Sequence, residues 1–171
     1  EAVVTTQGFN TLASMQMALQ FGDKETKCGD QNNPELNGKP LCGKALCLPQ
    51  TIGSTTGGLV LYCACSMKRQ PACMLFSEHI DSLAAAGAVL ASVWVEDINM
   101  PVIDCLGDEF LNYVKDGMKI TVAEDGTVTE VRTYIMIFMV AFNTFCHSAL
   151  TAGTIHGIRV FNARCCTDGT A

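Results

Sequence analysis

The stretch GKALCLPQTIGSTTGGLVLYCACSMK, residues 43–68, joins two apolar runs through an uncharged loop. GKALCLP (43–49) is short and ended by proline, which suits a buried strand, and GGLVLYCACSMK (57–68) has the length of a helix. Between them lie glycines and hydroxyls without a charge, an unusual composition for a plain connection between buried segments. The same alternation continues downstream. PACMLFS (71–77) reads as a second buried strand, Asp81 is placed to cap the helix SLAAAGAVLASVW (82–94), and MPVIDC (100–105) reads as a third strand, followed by a short helix over 107–114. MKITVAEDGTVTEV (118–131) consists of two alternating runs around Asp125 and Gly126, which predicts a hairpin. Upstream, residues 1–20 have mixed polarity with a short helix around LASMQMALQ (12–20), and 21–40, rich in Gly, Asn, Asp and Pro, read as an irregular loop.

Strand, helix, strand, helix, strand at this spacing predicts parallel pairing through right-handed crossovers, with helices covering the sheet and a hairpin added later. The fold class is α/β. In such sheets ligands bind beyond the C-terminal ends of the strands, close to the start of the next helix. The loop after Pro49 occupies that place.

Size and charge narrow the function classes. With 171 residues the chain is long enough to bury a core as one domain with a tail. It is 49% hydrophobic with a net charge of −6, and its 11 basic residues against 17 acidic ones argue against nucleic acid as the main ligand, since phosphate binding needs a Lys/Arg surface. The ten cysteines raise the question of disulfides. Most sit where a small apolar residue would serve, such as Cys47, Cys63, Cys65 and Cys73, and the opening EAVVTTQGFNTLASMQ has neither the basic start nor the apolar stretch of a signal peptide. Reduced, structural cysteines in a cytoplasmic protein are therefore expected. No C-x-x-C pair is present, and Cys63-Ala64-Cys65 and Cys165-Cys166 are not zinc spacings, so no metal ligand is assigned.

If Gly57 or Gly58 starts a helix, residues 53–56 lie at its positive end, where free N–H groups favour an anion. Gly53, Gly57 and Gly58 permit close backbone approach, while Ser54, Thr55 and Thr56 supply neutral hydroxyls; a carboxylate or phosphate would fit. The plainer reading is that Ser54 or Thr55 caps the helix and the glycines turn the chain. No Walker lysine follows, which speaks against a triphosphate site, and no G-x-S-x-G pattern supports a serine hydrolase. No histidine stands between Gly53 and Gly58, which disfavours a phosphoryl carrier.

Taken in order, these segments carry a resemblance. NPELNGKPLCGKALCLPQTIGSTTGGLVLY, then PACMLFSEHIDSLAAAGAVLA, then MPVIDCLGDEFLNYVKDGMKITVAEDGTVTEV resemble the small swivelling domain of the aconitase X family. The shared features are a P-x-L-x-G-x-x-L-x-G-K approach from Pro34, the G-S-T-T-G loop after a strand, the Pro-Ala start of the next strand, and a closing D-G-x-x-I-x-V hairpin. The resemblance runs over about residues 20–131 and implies a three-layer swivelling β/β/α domain. It implies, too, a hydro-lyase component that helps dehydrate a small hydroxy acid; members include cis-3-hydroxy-L-proline dehydratases and phosphomevalonate dehydratases. By that likeness Ser54 is the catalytic base beside a carboxylate, with Gly53, Thr55, Thr56 and Gly57 around the substrate. In aconitase itself the position of Thr56 is an arginine that binds substrate, so here carboxylate pairing must come from elsewhere. The likeness implies a large catalytic partner that carries an iron–sulfur cluster; no cofactor or metal is assigned to this chain. The competing reading is a non-catalytic swivel domain used for binding or docking.

Other polar residues have quieter readings. Glu78, His79 and Asp81 either line the same cleft or serve in capping and surface exposure. Asp23 and Asp30 read as solvated turn residues, and Trp94 and the methionines as core or interface packing. The division expected is a swivel domain over 1–131 and an unassigned apolar tail over 132–171. The tail's apolar segment, 134–146, is shorter than the ~20 residues a spanning helix needs, so a membrane helix is not favoured, and His147 and His156 have no motif around them.

Overall fold

A computed structural model of the protein describes residues 1–53, 55–134 and 155–161. Four parallel strands, β1 (Ala2–Val4), β2 (Ala45–Leu48), β3 (Cys73–Phe76) and β4 (Val102–Ile103), lie in the order β1-β2-β3-β4. Between them run α1 (Thr11–Gln20), α2 (Gly57–Ser66) and α3 (Ser82–Trp94); α4 (Asp108–Tyr113) follows β4. A second, antiparallel sheet comprises β5 (Ile120–Val122), β6 (Val128–Tyr134) and β7 (Ile155–Phe161).

Alternation along the buried strands explains the layers. Val3, Leu46, Leu48, Met74 and Phe76 point to one face, where they join Met15 and Leu19 of α1 and Leu61 and Ala64 of α2 in one core cluster. The residues between them, Ala2, Ala45, Cys47, Cys73 and Leu75, point to the other face and meet Phe110, Val114 and Val128. Period-two alternation on a strand produces this division directly. Large side chains face the helices and mostly small ones face the second sheet, giving the expected three-layer β/β/α order. Each fully buried Leu or Phe contributes about 2 kcal/mol of transfer free energy.

The sequence-based boundaries shift inward. The strand expected at 43–49 is Ala45–Leu48, that at 71–77 is Cys73–Phe76, and that at 100–105 has only two residues, Val102–Ile103. β1 carried no expectation; it pairs with β2 through Ala2↔Ala45 and Val4↔Cys47. The predicted hairpin is present as β5 and β6, with Gly126 at φ +84° in the turn and Asp125 accepting the Thr127 amide at 2.9 Å. β6 continues past residue 131 to Tyr134 and pairs with β7, drawn from the segment read as a tail. His147, Cys146, Cys165, Cys166 and the apolar segment beyond Tyr134 lie outside the described residues. Among the described residues no helix is long and apolar enough to cross a membrane.

The polar loop 21–40 is tied to the β1 end by a small network. The Glu35 carboxylate accepts from the Thr6 amide at 2.6 Å and from the hydroxyls of Thr5 and Thr6, both at 2.8 Å. Burial alone would push the Glu35 carboxyl up, but these donors, with Lys39 nearby, together hold it below its ordinary value. Asp23 accepts the amides of Glu25 and Lys27 at 3.0 Å, as a turn residue should. Asp30 differs from expectation: it is buried rather than solvated, with its carboxylate accepting the Asn32 amide at 2.9 Å.

Candidate functional site

The loops that follow β2, β3 and β4 emerge at the same end of the parallel sheet. Cross-strand bonds continue past the strands and stitch these loops together: the Glu78 amide donates to Pro49 at 3.1 Å, the Cys105 amide to Glu78 at 3.0 Å, and the Gly107 amide to Ser77 at 2.9 Å. On the other side, Phe9 exchanges bonds with Gln50 and Ile52, both at 2.9 Å. The β2–α2 loop is thus gripped from both neighbours up to Ile52.

Gly53 follows in a left-handed conformation, φ +100°, with its α-carbon so close to Asn10 that an added Cβ would stand 2.8 Å from the amide nitrogen of that side chain. Asn10 is itself fixed as the N-cap of α1, accepting the Ala13 amide at 3.1 Å. Glycine is therefore required at position 53 for two reasons, its dihedral and its neighbour. Ser54 lies outside the described residues. Thr55 and Thr56 are exposed, and the N-cap of α2 is Thr56 rather than Ser54 or Thr55. Gly57 opens α2, which has no acidic residue in its first turn. Gly53, Thr55, Thr56 and Gly57 thus lie toward the positive end of a ten-residue helix, at the sheet end where α/β ligands bind. Gly58 serves packing instead: a Cβ there would stand 2.1 Å from the carbonyl oxygen of Leu83, and one on Gly87 would stand 2.2 Å from that of Gly58. Helices α2 and α3 touch backbone to backbone at this point.

Asp81 caps α3, accepting the amides of Leu83 at 2.8 Å and Ala84 at 3.1 Å, while its other oxygen takes the Thr51 hydroxyl. Burial would push its carboxyl up, yet these three donors outweigh that and hold it below the usual value. His79 does not serve in capping. Its Nδ1 lies 3.1 Å from Asp104 Oδ2 and 3.3 Å from Cys105 Sγ, a grouping the sequence reading missed. The only signal was positional: the register Leu75↔Ile103 carries the chain beyond β3 alongside the chain beyond β4.

The rim of the loop is apolar. Ile52 is 49% exposed, Leu59 62% and Leu83 42%. Farther along α3, Trp94 is exposed too and packs edge-on to Tyr62, with ring centroids 6.3 Å apart. A cleft lined by Thr5, Thr6, Glu35, Lys39 and Asp116 lies beside β1.

Among the described residues, Cys28, Cys42, Cys47, Cys63, Cys65, Cys73 and Cys105 carry thiols rather than disulfides. An iron–sulfur cluster needs several thiolates converging on one point. Among the described residues the one convergent group of metal-ligating side chains brings a single thiol, Cys105, so these residues do not fit a cluster.

Comparison with known proteins agrees with this architecture. The family model of the aconitase X swivel domain matches residues 1–131. The chain is 34% identical over 91 residues to the phosphomevalonate dehydratase small subunit of Aeropyrum pernix, covering 53% of this chain and 63% of that protein. This match therefore spans less than two thirds of the relative's length. The subunit of the same name from Methanothermobacter thermautotrophicus is 28% identical over 100 residues, covering 58% of this chain and 70% of that one. Among solved structures, aconitase X of Thermococcus kodakaraensis, in its holo-form, superposes with a TM-score of 0.58 at 24% identity, over 74% of this chain and 82% of that one. A UPF0107 protein solved by NMR gives 0.54 at 24% identity, over 70% and 79%. Both likenesses are of fold.

Proposed function

Because this chain belongs to the aconitase X swivel-domain family, matched over residues 1–131, we propose that it is the small subunit or small domain of an aconitase X type hydro-lyase. It acts with a large partner that completes the site and dehydrates a small hydroxy acid. The family match carries the reading; the position of the loop supports it.

In this reading the chain supplies Ser54 as the base that takes the proton beside the substrate carboxylate. A serine hydroxyl is far too weak an acid to act as a base in water, so it needs N–H donors and a helix end to stabilise the alkoxide. The support is the start of α2 beside Gly57, with no competing carboxylate in its first turn. Gly53, Thr55, Thr56 and Gly57 bind the anionic substrate through backbone amides and hydroxyls. Expulsion of the hydroxyl calls for a Lewis acid, which the iron–sulfur cluster of the large partner supplies when bound. The apolar rim of Ile52, Leu59 and Leu83 is the surface that partner covers. The setting is cytoplasmic, and the substrate to assay first is phosphomevalonate, after the relatives' names.

The test is reconstitution with the large subunit from the same source. Ser54→Ala is expected to lower dehydration by about a hundredfold to ten-thousandfold, the usual worth of a positioned base, while leaving assembly intact. Unchanged turnover removes Ser54 from the chemistry. A complex that assembles but dehydrates no hydroxy acid makes the chain a binding module instead.

A further inference from the structure

The group His79, Asp104 and Cys105 has no part in the dehydration chemistry above, and its geometry is specific. The three ligand atoms, Nδ1, Oδ2 and Sγ, all lie within 4.8 Å of one another. We propose that these side chains form a three-ligand site for a borderline-soft divalent cation of the Zn2+ type, with a fourth position open to water or to a group from the partner.

Two separations can be compared with what a cation would impose. Tetrahedral zinc at ~2.0 Å from nitrogen and oxygen and ~2.3 Å from sulfur sets edges of about 3.3 Å between N and O and about 3.5 Å between N and S. The observed values are 3.1 Å for His79 Nδ1 to Asp104 Oδ2 and 3.3 Å for His79 Nδ1 to Cys105 Sγ. Both separations are close to the edges a tetrahedral ion sets, and the remaining pair lies within 4.8 Å.

The connectivity separates this group from a catalytic relay. In a nucleophile–His–carboxylate triad the two partners use opposite ring nitrogens, so that one nitrogen receives a proton while the other donates one. Here the carboxylate and the thiol both face Nδ1. A single Nδ1 proton is at most shared between the two groups, whereas a cation at the common focus is met by lone pair, carboxylate and thiolate together. Binding releases the Cys105 thiol proton to solvent.

Burial supports the same assignment. Cys105 is 9% exposed overall, while the Asp104 and His79 side chains are 34% and 68% exposed, so the ligands climb from core to surface and leave the outer position open. That is the layout of a zinc site with an accessible coordination position. The base of the site is fixed by the Cys105 and Gly107 amides bonded to Glu78 and Ser77. A mixture of imidazole, thiolate and carboxylate selects Zn2+ or Co2+ over Mg2+ and Ca2+.

Co2+ is the probe. Added to the chelator-treated full chain, it is expected to give tetrahedral visible bands with a thiolate charge-transfer band, saturating at a single ion per chain and bleached by Zn2+. His79→Ala removes an exposed ligand with little risk to folding and is expected to weaken binding by about tenfold or more. Cys105→Ser should abolish the charge-transfer band, whereas Cys63→Ser leaves it intact. A spectrum without the thiolate band, or one unchanged by His79→Ala in a chain of unaltered circular dichroism, overturns the proposal and leaves His79 and Asp104 as a hydrogen-bonded pair. Neither result touches the Ser54 assignment, which is read by turnover.

Discussion

Asp81 shows how much one short carboxylate does here. It closes the first turn of α3 with two amide bonds and reaches back to Thr51 in the neighbouring loop. Asp81→Ala is expected to cost about 1 kcal/mol from the lost cap, with a further loss from the stranded Thr51 hydroxyl, read as a lower urea midpoint. Asp81 and Glu35 both have folded-state carboxyls held below their ordinary values of 3.8 and 4.5. Their stabilisation is complete above the unfolded values and is lost as pH falls through the folded ones. The urea midpoint should therefore drop below about pH 4, and the drop should be shallower in Glu35→Gln. Thiol chemistry divides along burial. Desolvation pushes Cys65 and Cys73 up to about 11 and Cys47 higher still, so iodoacetamide at neutral pH should label the partly exposed Cys42 and Cys63 before the buried Cys47, Cys65 and Cys73. Capping by Asp81 was legible in the sequence because its cue is local, a carboxylate immediately before an apolar periodic run. The grouping of His79 with Asp104, 25 residues apart in sequence, was not, because it depends on how the chain beyond β3 aligns with the chain beyond β4.

Elements with strong local patterns were readable, and those defined by their neighbours were not. The hairpin announced itself through Asp125-Gly126 between alternating runs, and α2 and α3 through their length and apolar content. β1 is three residues long and exists because β2 accepts it. β7 pairs with β6 across a long intervening segment, which no pattern around His156 signals. Gly58 was legible as a glycine of close approach, but the approaching group is α3 and not a ligand. Gly58→Ala drives a Cβ to 2.1 Å from a backbone oxygen, which must move. We expect a loss of about 3 kcal/mol, the upper part of the overpacking range, read by thermal denaturation, whereas Gly57→Ala, with its nearest neighbour 3.7 Å from the new Cβ, should be far milder.

At the scale of the molecule, α1 and α2 cover one face of the parallel sheet while α4 and the second sheet cover the other, and the C-terminal strand end carries the loops of the candidate site. The exposed Ile52, Leu59 and Leu83 surround that end. Leu59→Asp combined with Leu83→Asp should leave the isolated chain folded, by circular dichroism, yet weaken its capture by the proposed large subunit at least tenfold in co-purification titrations. The meeting of Gly58 with Gly87 has one more effect. Two helical backbones pressed together with no side chain between them cannot roll past each other like lubricated rods; they are keyed. The bend that precedes α2 is mounted on that keyed pair, so in the proposed reading it reaches a substrate only by transport of the whole body, as a door carries its latch.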